Sequence, residues 1–587
     1  MPQPARAGSL AAAPTRSFDE AAEFITLIGD DILAVTAFQV VPRRFGEPAT
    51  NTVRTAMVKH YLHYIAAGSL LLALSAVDPA WAQKRGGVLR LSTPGSPANL
   101  SIHETSTMFA QMPMMGVFNN LVVFDQHNPQ VSLATILPDL ATNWAWNEDD
   151  TALTFQLRQD VRWHDGKPFT AADVKCTWDL LLDKVPDKLR LNPRKTGYDN
   201  LADVTTNGDY EVTFKLKRRQ PAFSMLLAGG FSAIYPCHIT ATQMRQHPVG
   251  TGPFKFVEFK PNESIKVTRN PDYWRKDRPY LDGIEYTIIH ESATADLAFI
   301  SGKFDMTFPF DLSVLRYKEM RKRVPELVCE LSPGTLSTHL LVNRTQPPFD
   351  NADLRRAMSL TIDRKAYIDT LGQGEGETGG ILQPPPAGLW GMPPEQIADL
   401  PGYGLDVRKN RGEALALMGK LGYGPDNRLK IKVTTRDWSI YRDPAVLLIA
   451  QLKQIYIDGE LELVDTAQYF PKIQRKEYTV ALNLQTAGPD PDPNVQLFYG
   501  CGSNLNWDNY CNPEMDRMIE AQSREADPAK RKQILWTIER KLANDSVRPI
   551  IFYRRGGTCE RPYVKGLTIM VNSVFNSWRM EDVWLDR

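Results

Sequence analysis

Between Thr151 and His164 apolar and polar side chains alternate, with Leu153, Phe155 and Leu157 on one face and Thr154, Gln156 and Arg158 on the other. Successive side chains of a strand point to opposite faces, so this period of two predicts a half-buried strand. Asp165-Gly166 supplies a turn to end it. Thr170-Ala-Ala-Asp173 then reads as a capped helix start, because a hydroxyl and a carboxylate can satisfy the free N–H groups of a first turn. Leu354, Ala357, Met358 and Ile362 recur at helical spacing, as do Ile534, Leu535, Ile538 and Leu542. A strand-like run, Val88–Ser92, opens the mature chain after a glycine pair, and another, Leu429–Thr435, lies between the two helical patterns. Strands and helices interleave along the whole chain, which predicts an α/β fold. Pro-rich Leu382–Gly388 reads as a rigid loop, and no internal repeat or low-complexity tract is present.

A chain of 587 residues exceeds what one hydrophobic core organises, so two or more lobes are expected. Lys+Arg and Asp+Glu balance at 68 each, and no run is dense in basic residues. A duplex-binding protein needs a basic face to neutralise phosphates, so nucleic acid is not an expected partner.

One segment speaks to the compartment. Basic Met57–Tyr64 precedes an apolar stretch, Ile65–Val77, and then the small-x-small sequence Ala80-Trp81-Ala82. That order predicts a secretory signal over 57–82, and the apolar stretch is shorter than the roughly 20 residues that span a bilayer. Residues 1–56 carry no sustained period, so Met57 is the expected natural start and 1–56 an extension before it. No cysteine precedes Cys176, whereas a bacterial lipoprotein needs one at its cleavage site; a periplasmic protein without a lipid anchor is expected. Export permits disulfides. Cys501 and Cys511 stand close enough to close one loop or else are two free thiols, and pairing of the other four cannot be read.

The motifs of the mature chain resemble a known family. Leu137-Pro-Asp-Leu-Ala141, Trp146–Asp150 and Leu157–Val174 come first, followed by Gly250-Thr-Gly-Pro-Phe254 and Arg269-Asn-Pro-Asp-Tyr-Trp274. Asn343, Pro347-Pro-Phe349, Leu354–Met358 and Ile362-Asp-Arg364 follow. In this order they resemble the solute-binding proteins of peptide/nickel ABC importers, the group of dipeptide- and oligopeptide-binding receptors. The resemblance implies a large, two-lobed periplasmic-binding-protein fold of type II with an interlobe ligand cleft. The first lobe would take residues 83–334 with a return over 556–587, and the second 335–555. It also implies a monomer that hands a small peptide-like ligand to a permease with ATPase subunits, with no cofactor. Trp163 and His164 are read as core and turn residues, not ligand contacts.

A peptide is a zwitterion, so its site should hold a carboxylate and a cation. By resemblance Asp490, in the loop Ala487–Pro493, is the candidate for the amine, although Pro489 stands where a strict spacing puts the anchor. Arg436 is the candidate for the ligand carboxylate, with Trp438 packing on the ligand and Trp390 a further aromatic of the pocket. The plainer alternatives are that Asp490 only shapes a turn and that Arg436 pairs with Asp437 in solvent. Opines, sugars or a nickel chelate are alternative ligands, and an exported hydrolase is the alternative of a different class.

Gly374-Glu-Gly-Glu-Thr-Gly379 fits the spelling of a dinucleotide loop, but it follows a predicted helix and carries two glutamates that would repel a pyrophosphate. No Walker loop, G-x-S-x-G, H-E-x-x-H or C-x-x-C occurs, and the nine histidines show no paired ligand spacing. Neither a catalytic residue nor a metal ligand is therefore assigned.

Overall fold

A computed structural model describes residues 83–587, apart from residues 386, 387 and 487 and the side chains at 334 and 335. The predicted signal at 57–82 and the extension 1–56 lie outside the described residues.

The alternating stretch forms the regular strand Ala152–Leu157, with Leu153 and Phe155 fully buried. It stops sooner than the pattern suggested, because the chain turns at Arg158, whose N–H donates to the carbonyl of Leu140. Beyond it only an isolated bridge, Arg162 with Pro168, continues the pairing. Trp163 is buried in the core, and its indole N–H donates to Asp173. Asp173 also accepts the Thr170 N–H at 3.0 Å, completing the predicted start of the helix Ala171–Leu181. His164 bonds the backbone of Gly250 and Gly252, and burial pushes its pKa down to about 4.

Three larger sheets organise the described chain. Ala152–Leu157 belongs to an antiparallel one, ordered Ala141–Trp146, Ala152–Leu157, Glu211–Leu216 and Leu201–Thr206. A second places Val88–Thr93 parallel to Gly283–Ile288, followed by Ser264–Arg269 and Phe254–Lys260. The third has six strands in the order Gly376–Glu377, Ile550–Glu560, Val328–Val342, Val480–Thr486, Leu429–Arg436 and Ile457–Val464. Both predicted late helices form, as Ala352–Leu360 and Pro528–Asn544, and the glycine-rich 374–379 segment follows the helix Arg364–Gly372.

Two strands are unusually long. Val328–Val342 runs antiparallel to Ile550–Glu560 from Val328 opposite Glu560 to His339 opposite Ile550, with an irregularity between Pro333 and Ser337. On one side of that irregularity Gly557 bridges to Leu312 and Glu560 to Met306. On the other, the pair is part of the six-stranded sheet. The largest core packs residues from Leu89 to Phe310 with the C-terminal Val564–Leu585, and a second core draws on residues from Leu340 to Phe552. Trp438, Ile440, Tyr441 and Leu484 belong to the first core although they follow strands of the six-stranded sheet or lie in them.

All six cysteines are paired, as Cys176–Cys237, Cys329–Cys559 and Cys501–Cys511. Among the described residues no helix is long and apolar enough to cross a membrane.

Candidate functional site

Where those elements meet lies a cavity of about 230 Å³. One wall comes from Ser106–Phe109, Arg194, Phe231 and Phe575, the other from Arg436, Trp438, Tyr441, Phe470, Gln485 and the start of the helix Pro491–Tyr499. Its surface is mostly apolar and aromatic with a few charged groups, the usual composition of a small-molecule site.

Arg436 ends the strand Leu429–Arg436 and is 3% exposed. Its Nε and Nη2 donate to Thr466 Oγ1 at 3.2 and 3.0 Å, and its Nη1 donates to the Tyr441 hydroxyl at 2.6 Å. The rings of Phe109, Trp438, Tyr441 and Phe470 surround the guanidinium at 4.4–5.4 Å. Cation–π contacts of this kind stabilise a buried charge without neutralising it. The solvent-exposed pairing with Asp437 does not form; Asp437 lies 3.9 Å from Arg442 instead. Trp438 lines the cavity, and its indole N–H donates to Asp311 at 3.0 Å, which fixes the ring against Phe109 and Tyr441.

Asp490 also borders the cavity, and it does two local tasks at once. Its Oδ1 accepts the Asp492 N–H at 2.8 Å, capping the helix Pro491–Tyr499, and both oxygens accept from Arg531 at 2.5 and 2.8 Å. The buried Arg531 is held above its ordinary pKa by that pair, against the opposing effect of burial. Asp492, behind it, is pushed upward by burial and by the Asp490 charge, and accepts from Gln220 and Gln522 at 2.6 Å each. Trp390 stands apart from the main cavity. It stacks on Arg531 at 4.6 Å and lines a small adjoining space with Pro489 and Pro491. The structure thus brings Arg436, Trp438 and Asp490 to one cavity and places Trp390 behind the Asp490–Arg531 pair.

Several lining groups carried no mark in the sequence. Arg194 precedes a single turn at Lys195–Tyr198, lies 3.4 Å over the Phe231 ring and donates to the carbonyl of Thr105 at 2.7 Å. Burial pushes its pKa down; arginine nonetheless keeps its charge at neutral pH. Arg548 is committed to the scaffold, donating to the carbonyls of Phe498 and Leu505 at 3.3 and 3.2 Å. No motif spacing links Arg194, Phe470 or Arg531 to the loop around Asp490; only the fold does.

A largely apolar cavity with a few cations in its wall is the kind of site that holds a small solute. The chain belongs to the bacterial extracellular solute-binding proteins, family 5 (middle), which match residues 135–506. It is a binding protein of a non-enzymatic family. Its relatives include di/tripeptide-binding protein 1 of Pseudomonas aeruginosa (strain UCBPP-PA14), 26% identical over 82% of this chain and 90% of that protein. The periplasmic binding protein DppA from Helicobacter pylori, solved with the peptide STSA, superposes with a TM-score of 0.75 at 22% identity. That match covers 86% of this chain and 99% of the other. AgaA from A. tumefaciens R10, solved with agropinic acid, gives a TM-score of 0.73 at 23% identity, covering 85% and 99% of the two chains. The mixed α/β fold is therefore that of the periplasmic binding proteins.

Proposed function

We propose that the protein is the periplasmic receptor of an ABC importer, capturing a small peptide or peptide-like solute and delivering it to a permease with its ATPase subunits. The observation that carries this reading is the aromatic cavity, walled on one side by Ser106–Phe109 and Arg194 and on the other by Arg436 and Trp438. In this reading the chain is exported by the signal at 57–82, carries no lipid anchor and acts as a monomer. Residues 83–334 with 556–587 form one lobe and 335–555 the other. The break in the antiparallel pairing of the two long strands near Pro333–Ser337 and Tyr553–Arg555 supports a hinge at these boundaries. Contacts across the cavity support a closed form bridged by ligand, among them Thr196 with Ser503 at 2.9 Å and Asn504 with the carbonyl of Asn192 at 2.7 Å. A ligand that touches both lobes shifts an open–closed equilibrium only by its differential affinity for the two states.

Small-angle X-ray scattering with and without ligand tests this. Compaction at saturating peptide is expected, and an unchanged envelope with every bound ligand would count against hinge closure. A thermal-shift screen of di- to pentapeptides, opines, sugars and nickel chelates identifies the ligand, since one present at 100 times its Kd adds about 2.7 kcal/mol.

A further inference from the structure

We infer that the solute this cavity selects is a small organic dianion, two acidic groups on an apolar body, with no free amine to be neutralised. This rests on the receptor reading above and, of the peptide and peptide-like solutes it names, favours those whose amine is blocked or absent over free peptides.

The charges of the cavity wall decide the matter. Asp490 is the acidic side chain that borders it, and Arg531 together with the Asp492 N–H already occupies that carboxylate. A ligand ammonium taking the one acceptor site left on Oδ2 would have to share the carboxylate with a two-bonded buried arginine, whose charge opposes its own. Arg194 and Arg436, by contrast, have no carboxylate within ion-pair distance among the described residues. Arg436 directs three of its N–H groups to Thr466 and Tyr441. A guanidinium has five, so one remains on each terminal nitrogen for a carboxylate to accept. Arg194 uses one N–H on Thr105 and stacks on Phe231.

A second observation points the same way. The helix Met108–Met115 begins on the cavity wall beside Arg436, and its N-cap residue Thr107 makes no capping bond. The Thr107 hydroxyl oxygen is buried and has no hydrogen-bond partner. The positive end of this helix is left for an acceptor to complete. The helix Pro491–Tyr499, across the cavity, has its own end closed by Asp490. A zwitterion would bring its ammonium into a space that already holds Arg194 and Arg436, beside a third cation, Arg548, whose bonds go to the carbonyls of Phe498 and Leu505. A monoanion would leave Arg194 or Arg436 unpaired, whereas a dianion satisfies both. The rings around Arg436 and the Phe231 ring under Arg194 cover the apolar body between the two acids.

Calorimetry with the full mature chain tests the inference on three matched compounds: Phe-Glu, N-acetyl-Phe-Glu, and the bis-amide of N-acetyl-Phe-Glu. The acetylated dianion should bind at least about tenfold tighter than the free-amine dipeptide, and the bis-amide should not bind measurably. Arg194→Gln and Arg436→Gln should each weaken the dianion by about tenfold or more, with unfolding midpoints near that of the parent. Arg436→Lys keeps the charge and should retain more affinity than Arg436→Gln. Equal or tighter binding of free-amine Phe-Glu, with compaction in scattering, overturns the inference and leaves the receptor reading intact. Absence of binding and of compaction with these compounds, di- to pentapeptides and opines alike overturns both.

Discussion

The Asp490 and Arg436 sides of the cavity are built from the same parts, a buried charge beside a helix N-terminus, yet they are finished differently. At Asp490 the chain supplies both counterparts: the carboxylate caps the helix Pro491–Tyr499 and pairs with Arg531. Beside Arg436 the chain supplies aromatic rings and two hydroxyls, while the start of the helix Met108–Met115 has no side-chain cap. A charge completed from within contributes to the stability of the fold. One left incomplete is, on the proposed reading, available to a ligand. The lesson is that buried charge marks a binding group only where its counterpart is missing.

This contrast is open to breakage at each side. The largest effect is expected at Arg531→Met, which strands the Asp490 carboxylate; loss of one member of a buried pair destabilises by about 3–5 kcal/mol. Denaturant unfolding reads it, and adding Asp490→Asn should recover most of the loss. Arg436→Met should invert the pattern, leaving the unliganded protein close to its parent stability while weakening ligand binding by about 2–5 kcal/mol in calorimetry. If Arg436→Met instead unfolds the protein, that side is scaffold and the contrast fails.

A smaller effect concerns the wall that carries Leu505 and Trp507, which the Cys501–Cys511 bond closes into a loop. Replacing both cysteines with serine should lower stability by about 2–3 kcal/mol under the chain-entropy account. The affinity of the Arg436 side should change less than the unfolding midpoint does.

The smallest effect is a pH slope from Glu539, which stands on the same helix as Arg531. Its Oε1 accepts the Leu382 N–H at 3.2 Å and so holds the loop that leads to Trp390. Burial raises its pKa from 4.5 to about 8. The unfolded chain then binds fewer protons than the folded one between those values, so this group lowers stability as pH rises from about 4.5 to about 8. Glu539→Gln should flatten that part of the stability–pH curve, measured by unfolding at a series of pH values.

Local patterns announced much of the scaffold. The alternation at 152–157, the Thr170–Asp173 helix start and the spacing of Leu535, Ile538 and Leu542 each depend on neighbours in the chain, and each is found. Arg436, Trp438 and Asp490, the candidates that family resemblance offers, each sit at a strand end or a helix start and border one cavity. What escaped was partnership. Arg531 meets Asp490 across 41 positions of sequence, and Cys329 meets Cys559 across 230. Nothing local distinguishes such a partner from any other arginine or cysteine, because the pairing is set by how the sheets and helices pack. Trp390 shows the same gap: a loop tryptophan was legible, and the guanidinium it covers was not.

The Cys329–Cys559 bond joins residues that face each other in the two long strands, four positions before their pairing becomes irregular at Pro333. It works as the key in a keyed joint. It pins their register, so that the strands cannot slip along each other by even one residue. A one-residue slip would exchange the two faces of a strand and scramble every contact built on it. A hinge at that break, as proposed above, would therefore return to the same register each time, with the oxidised state of a single cystine guarding that fidelity.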